Sequence, residues 1–149
     1  RRVQRTEGGS HGGRAVISLT EAAVLFLCRT HDPACMATVR QYAPMIADLA
    51  SAYGVDPVLA VSVCVQESRL LTRRAQSLCG TSHADPETSA TIAADALSGH
   101  HHHCRTWDAA LRSYHYDGRC ERDDRDGYVG AVRSIERSLR CAMRRERRC

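Results

Sequence analysis

The feature that most constrains this fold is a run at residues 57–71 that is apolar around the whole circumference of a helix. Asp56-Pro57 marks its start, because Asp is a favoured N-cap and Pro suits the first helical position. The apolar side chains that follow are Val58, Leu59, Ala60, Val61, Val63, Cys64 and Val65. A helix that is apolar on every face belongs in the middle of a fold. The sequence therefore predicts a central helix whose last turns carry Glu67 and Ser68.

Capping and breaking residues divide the rest of the chain into further helices. Ser18-x-x-Glu21 is a capping box and predicts a helix to about residue 29. A break at Asp32-Pro33 separates it from a second helix over 34–53. The later helices are predicted over 85–99, 107–116 and 126–142, with caps at Asp85, Thr106 and Asp126, a stop at Gly99 and a connector over 100–105.

No segment has the pattern of a strand or a hairpin, so the sequence predicts an all-α fold of about six helices. A polar, Gly-rich stretch at residues 1–15 predicts a flexible tail, and residues 16–149 predict one domain.

Composition excludes several classes of protein. The chain is 43% apolar and 26% charged, which is typical of a globular protein, and no apolar run approaches the roughly 20 residues of a membrane span. All 21 basic residues are Arg, but only 140–148 forms a basic tract and aromatic residues make up 5%. Nucleic-acid-binding proteins typically have a denser stripe of basic residues or aromatic residues that stack on bases. We therefore expect no nucleic-acid partner and a monomer without a membrane span.

Eight dispersed cysteines indicate disulfides. Their number is even and no CxxC pair occurs, which argues against a zinc ribbon, a thioredoxin-type redox pair and a haem attachment site. Disulfides persist in oxidising compartments, so we expect an exported protein, periplasmic or extracellular. Spacing does not decide the pairing, and Cys64, within the apolar helix, is alternatively a buried free thiol.

Four consecutive histidines, His100 to His103, lie beside Cys104. A Cys/His metal-binding protein is one interpretation, which counting free thiols would test. Adjacent residues do not share a helix face, however, and metal sites in folded domains use spaced ligands. We expect a solvated connector there, with no metal and no cofactor.

Glu67 is the first candidate for chemistry. A carboxylate at the end of the most apolar helix is expected to lie partly buried, and desolvation raises the pKa of such a group. A carboxylic acid that keeps its proton near neutral pH suits general acid catalysis. The alternative is that Glu67 is solvated or pairs with Arg69 or Arg73.

Several motifs in order resemble the soluble lytic transglycosylases, a lysozyme-like family that cleaves peptidoglycan. They are Tyr53-Gly54-Val55-Asp56-Pro57 before the apolar helix, Gln66-Glu67-Ser68-Arg69-Leu70 at its end, Ala75-Gln76-Ser77 as an A-x-S step, Ala110-Leu111 and Tyr114 in an A-L-x-x-Y motif, and Gly127-Tyr128-Val129 through Val132 in the closing helix. The resemblance covers about residues 46–139.

The resemblance implies a lysozyme-like helical domain that acts on the MurNAc–GlcNAc bonds of peptidoglycan glycan strands. Glu67 would be the single catalytic acid and base, and Ser68, Ser77, Tyr114 and His115 would bind substrate. A transglycosylase of this kind needs no second catalytic carboxylate and no cofactor, unlike the usual two-carboxylate glycosidase.

The sequence departs from the family pattern at the groove. Residues 78–83 replace the longer segment with the G-L-M-Q motif, His115 stands in place of Asn, and the Gly of that turn arrives late at Gly118. Catalysis needs a held substrate as well as a suitable carboxyl. The alternative is therefore a catalytically degenerate lysozyme-like domain that binds glycan or a protein partner.

Overall fold

The computed structural model describes residues 16–29 and 32–145, and these residues are all-α, as the sequence predicts. The six helices are α1 (Leu19–Leu27), α2 (Pro33–Ala52), α3 (Pro57–Ser68), α4 (Pro86–Cys104), α5 (Trp107–His115) and α6 (Tyr128–Met143). A short 3₁₀ helix, Arg69–Leu71, follows α3, and no strand occurs in the described part. The tail predicted at 1–15 lies outside the described residues.

The helix starts confirm the predicted caps at Ser18, Asp56, Asp85 and Thr106. Each of these side chains accepts a hydrogen bond from a backbone N–H in the first turn of its helix. Asp32 caps α2 in the same way, accepting from the N–H groups of Ala34 and Cys35. Such bonds satisfy donors that have no partner within the helix, typically at about 1 kcal/mol each.

Two predicted boundaries are wrong. Gly99 does not end α4, which continues through the histidine run to Cys104, so the connector over 100–105 is mostly helix. A glycine inside a helix costs only about 1 kcal/mol, and contacts of the last turn with α5 offset that cost. The N-cap of α6 is Gly127, one residue later than predicted, although the Asp126 side chain still accepts from the N–H of Tyr128. Asp124 accepts from the N–H groups of Val129 and Gly130.

The central position predicted for α3 is confirmed. Nine of its 12 residues are buried, and it packs chiefly between α2 and α6. Buried apolar side chains from all six helices join one core around it. No helix in the described part is long and apolar enough to cross a membrane.

Disulfides join Cys28 to Cys35, Cys64 to Cys79, and Cys104 to Cys120. The free-thiol alternative for Cys64 is therefore wrong, and none of the described cysteines is free. No group of three or more His, Cys, Asp or Glu side chains in 16–29 and 32–145 is placed to hold a metal ion. The Cys64–Cys79 bond ties the central helix α3 to the segment that precedes α4.

Candidate functional site

The chain turns sharply immediately after Glu67 and Ser68. Arg69, Leu70 and Leu71 all have positive φ, between 52° and 59°, which is a left-handed conformation. Such a conformation costs a residue other than glycine about 1–2 kcal/mol. Leu70 is completely buried, and its packing offsets part of that cost. This turn leaves Glu67 at the exit of the apolar helix, facing a cleft.

Glu67 is held between a phenol and a glycine. The Tyr128 hydroxyl donates a hydrogen bond to Oε1 of Glu67 at 2.9 Å. On the other side lies Gly80, where an added Cβ would overlap Cδ and Oε2 of Glu67. Only a residue without a side chain allows this close approach, and the φ of 75° at Gly80 also favours glycine.

Burial raises the pKa of the Glu67 carboxyl, while the Tyr128 hydrogen bond and the charge of His115 act in the opposite direction. Burial also raises the pKa values of Tyr114 and Tyr128, so both phenols keep their protons and can donate. The alternative in which Glu67 pairs with Arg69 or Arg73 is wrong, since the carboxylate makes no ion pair with either residue in the described structure. The expectation that Glu67 lies partly buried is confirmed.

The segment that carries Gly80 is anchored at Leu78 and Cys79. The Ser68 hydroxyl donates to the Leu78 carbonyl at 2.5 Å, and the Tyr114 hydroxyl donates to the Cys79 carbonyl at 2.6 Å. The Cys79 N–H donates to the hydroxyl of Ser89 on α4 at 3.0 Å, and its sulfur is bonded to Cys64. These contacts fix the backbone next to Gly80 from α3, α4 and α5.

Two cavities open at Glu67. The first, of about 400 Å³, is lined by Glu67 with Gly80 and Thr81, by Ile92 and His100 of α4, and by Tyr114, His115 and Asp117. The second, of about 260 Å³, is lined by Glu67, Gly80 and Thr81 together with residues 75–77. A larger cavity, of about 680 Å³, lies between His103 and the loop at 118–125, and Glu67 does not line it. The carboxyl thus stands where two openings share a wall.

The structure brings together four of the five site residues predicted from the sequence. Tyr114 and His115 line the first cavity with Glu67, and Ser77 lines the second. Ser68 lines neither: it is buried and its hydroxyl bonds to backbone, so it supports the cleft wall from beneath. Sequence reasoning missed Gly80 and the contact of Tyr128 with Glu67, although Tyr128 belongs to the closing-helix motif of the family resemblance.

His115 lies between a carboxylate and the phenol that holds Glu67. Its Nε2 is 2.6 Å from Oδ2 of Asp126, and its ring stacks on that of Tyr128 with centroids 4.0 Å apart and planes 1° apart. The Tyr116 hydroxyl donates to the other oxygen of Asp126. The hydrogen bonds from Tyr116 and His115 lower the pKa of Asp126 to about 2.

The histidine run is distributed over the surface of α4. His100 Nδ1 lies 2.7 Å from the Ser113 hydroxyl, and burial lowers the pKa of His100. The His101 ring stacks on Trp107 with centroids 3.8 Å apart. His102 and His103 are exposed. Only His100 reaches the cavity at Glu67.

Comparisons with protein-family models, with curated proteins and with solved structures find no match to this chain.

Proposed function

We propose that this protein is an exported, lysozyme-like lytic transglycosylase that cleaves the MurNAc–GlcNAc bonds of peptidoglycan. The observation that carries the proposal is the Glu67 carboxyl, which stands at the shared wall of two cavities with burial raising its pKa. The motifs that resemble the family lead to the same residue. The disulfides support export, because such bonds persist in oxidising compartments.

In the first step Glu67 acts as a general acid. Its carboxylic acid proton passes to the glycosidic oxygen as the bond from that oxygen to C1 of MurNAc breaks. The leaving sugar takes the bonding electron pair and the proton as a hydroxyl group. Glu67 is left as a carboxylate, which the hydrogen bond from Tyr128 stabilises.

In the second step the same carboxylate acts as a base. The 6-hydroxyl oxygen of the MurNAc residue attacks C1 and closes a 1,6-anhydro ring, while its proton passes to Glu67. The acid form is restored and no water is consumed. Because the nucleophile belongs to the substrate, no second protein carboxylate is required.

The lining of the first cavity suits a sugar. Its volume of about 400 Å³ falls within the range of roughly 300–1,000 Å³ of small-molecule sites. Thr81, Ser82, His83 and Tyr114 contribute hydroxyl and imidazole groups to the lining. Such groups are the donors and acceptors that hydroxyl and acetamido groups of a glycan can use.

Asp117 is a further carboxylate on the lining of this cavity. A hydrolase with two carboxylates would use it together with Glu67 and would transfer the sugar to water. The products separate the two mechanisms, since water gives a reducing end and the 6-hydroxyl gives an anhydro ring.

A domain that binds glycan or a protein partner without cleaving it is the second candidate. The short wall at residues 78–83 favours such a binding domain, because Gly80 lies against the Glu67 carboxyl, which would have to reach the substrate in an enzyme. A glycan-binding domain would use the same cavities as the enzyme and would leave the glycan uncleaved.

The test is digestion of purified peptidoglycan followed by mass spectrometry of the released muropeptides. The parent is compared with Glu67→Gln and with the matched control Glu87→Gln, whose glutamate is exposed on α4 and lines neither cavity at Glu67. We expect anhydro-muropeptides from the parent and the control, and none from Glu67→Gln.

Other outcomes assign other functions. Reducing-end products that disappear in Asp117→Asn would indicate a two-carboxylate hydrolase. No products from folded parent protein would contradict the enzyme proposal, and co-sedimentation with intact cell walls would then test the binding domain.

A further inference from the structure

His115 can act on Glu67 through Tyr128. The imidazole lies flat on the Tyr128 ring, and the hydroxyl of that ring is the donor to Glu67. A cation over a tyrosine face is attracted to the ring and draws electron density from it. A protonated His115 therefore favours the hydrogen bond that stabilises the Glu67 carboxylate.

Asp126 gives the imidazole a fixed orientation. Its Oδ2 lies 2.6 Å from Nε2 of His115, and the Tyr116 hydroxyl occupies its other oxygen. A carboxylate at hydrogen-bond distance from a ring nitrogen orients the imidazole. Side chains of three parts of the chain, α5, the turn at 126 and α6, are thus connected in series to Glu67.

In the described structure Asp126 is the only charged residue that shares a hydrogen bond or ion pair with the His115 ring. Glu67 interacts with the charge of His115 without a hydrogen bond, and the Tyr116 ring meets the His115 ring edge-on with centroids 4.6 Å apart. The other charged and titratable groups of this region have no hydrogen bond or ion pair with that ring. They are Asp117 and His83 on the cavity lining, His100 and His103 on α4, Asp124 in the loop before α6, and Arg122, whose guanidinium lies over the Tyr116 ring.

We propose that His115 is a positioning residue that holds the Tyr128 hydroxyl against Glu67 and couples its own charge to the protonation of Glu67. Asp126 orients His115 for this role. The proposal deepens the proposed function, on which its catalytic meaning rests. A residue that must first give and then recover one proton depends on a balance between its two forms. His115 would shift that balance towards the carboxylate whenever it is charged.

The direct test is a ¹³C NMR titration of the side-chain carboxyl of Glu67, assigned with Glu67→Gln. The parent is compared with His115→Asn, which removes the ring, and with His115→Phe, which keeps a flat ring over Tyr128 without a charge. His83→Asn is the control, because His83 lines the same cavity but is not stacked on Tyr128.

We expect the Glu67 midpoint to rise by about half a pH unit in both His115 variants and to stay unchanged in the control. A parent-like midpoint in His115→Phe would show that only ring packing matters and would overturn the coupling. An unchanged midpoint in His115→Asn would overturn the whole proposal. His115 lies at the surface, with 31% of its side chain exposed, so both variants are expected to fold.

The titration requires no turnover, so its result is independent of whether the protein cleaves peptidoglycan. If the enzyme proposal holds, the alkaline limb of kcat/KM should move to higher pH in His115→Phe by the same amount as the NMR midpoint. A limb that stayed in place while the midpoint moved would contradict the catalytic meaning of the coupling.

Discussion

Replacing Gly80 with alanine tests how firmly the Glu67 carboxyl is held. A Cβ at Gly80 overlaps Cδ and Oε2 of Glu67 and lies 2.9 Å from its Cγ. The backbone cannot readily retreat, because the neighbouring Cys79 is bonded to Cys64 and its carbonyl accepts from Tyr114. The side chain of Glu67 therefore has to swing away from Tyr128.

Two effects add in Gly80→Ala. Alanine in the left-handed conformation costs about 1 kcal/mol relative to glycine after the change in unfolded-chain entropy is included. Loss of the hydrogen bond between Tyr128 and the carboxyl adds about 1–2 kcal/mol. We expect the free energy of unfolding to fall by about 2–3 kcal/mol in total.

Gly118→Ala is the matched control. Gly118 has a φ of 83°, yet a Cβ added there meets nothing within 4 Å. It should show the backbone cost alone, about 1 kcal/mol. Urea unfolding at one pH measures both variants, with unchanged m-values required for the comparison.

Equal losses in Gly80→Ala and Gly118→Ala would refute the reasoning that Glu67 is clamped. A second comparison removes the clamped side chain: in a Glu67→Ala background, Gly80→Ala should cost no more than the control. If the extra loss persisted there, its origin would be the backbone and not the carboxyl.

The remaining predictions concern the pH dependence of stability and the turn after α3. Burial raises the pKa of Glu67 above its ordinary value of 4.5, so the stability that its protonated form contributes is complete below about pH 4.5 and is lost as pH rises through the folded-state pKa. Glu67→Gln stays neutral at both pH values. In urea unfolding, the free energy of unfolding of Glu67→Gln relative to the parent should therefore be greater at pH 7 than at pH 4. The same difference between variant and parent at both pH values would contradict the burial argument. Arg69→Gly should raise the free energy of unfolding by up to about 1 kcal/mol, because glycine adopts the left-handed conformation without strain. Arg73→Gly, at a residue without positive φ, should lower the free energy of unfolding. Thermal melts measure both variants, and a lower stability in both would argue against strain at residue 69.

Local chemistry made most helix starts predictable. Ser18, Asp56, Asp85 and Thr106 each act on backbone groups two or three residues away, so the interacting atoms are close in the sequence. The end of α4 was not predictable in this way. Its last turn is held by contacts of His100 and His101 with α5, which neighbours in the sequence do not reveal.

The candidate site was predictable only in part. Glu67 could be singled out because an apolar helix ends in a carboxylate, which is a pattern within one element. Tyr128 is 61 residues further along the chain, and nothing near it in the sequence shows that its hydroxyl reaches Glu67. The contact of Gly80 with Glu67 was not predictable either, since the sequence around a glycine in a polar loop does not indicate which side chain it approaches.

By itself the sequence determined an all-α chain, a buried central helix and a carboxyl at its exit. Periodicity and capping are properties of neighbouring residues, so they can be recognised without knowledge of the fold. Only the tertiary structure decided the disulfide pairing, the clamp of Gly80 and Tyr128 on Glu67, and the stack of His115 on Tyr128. Each of these depends on which surfaces meet when the apolar faces of the helices are buried together, and many pairings would satisfy the same local pattern.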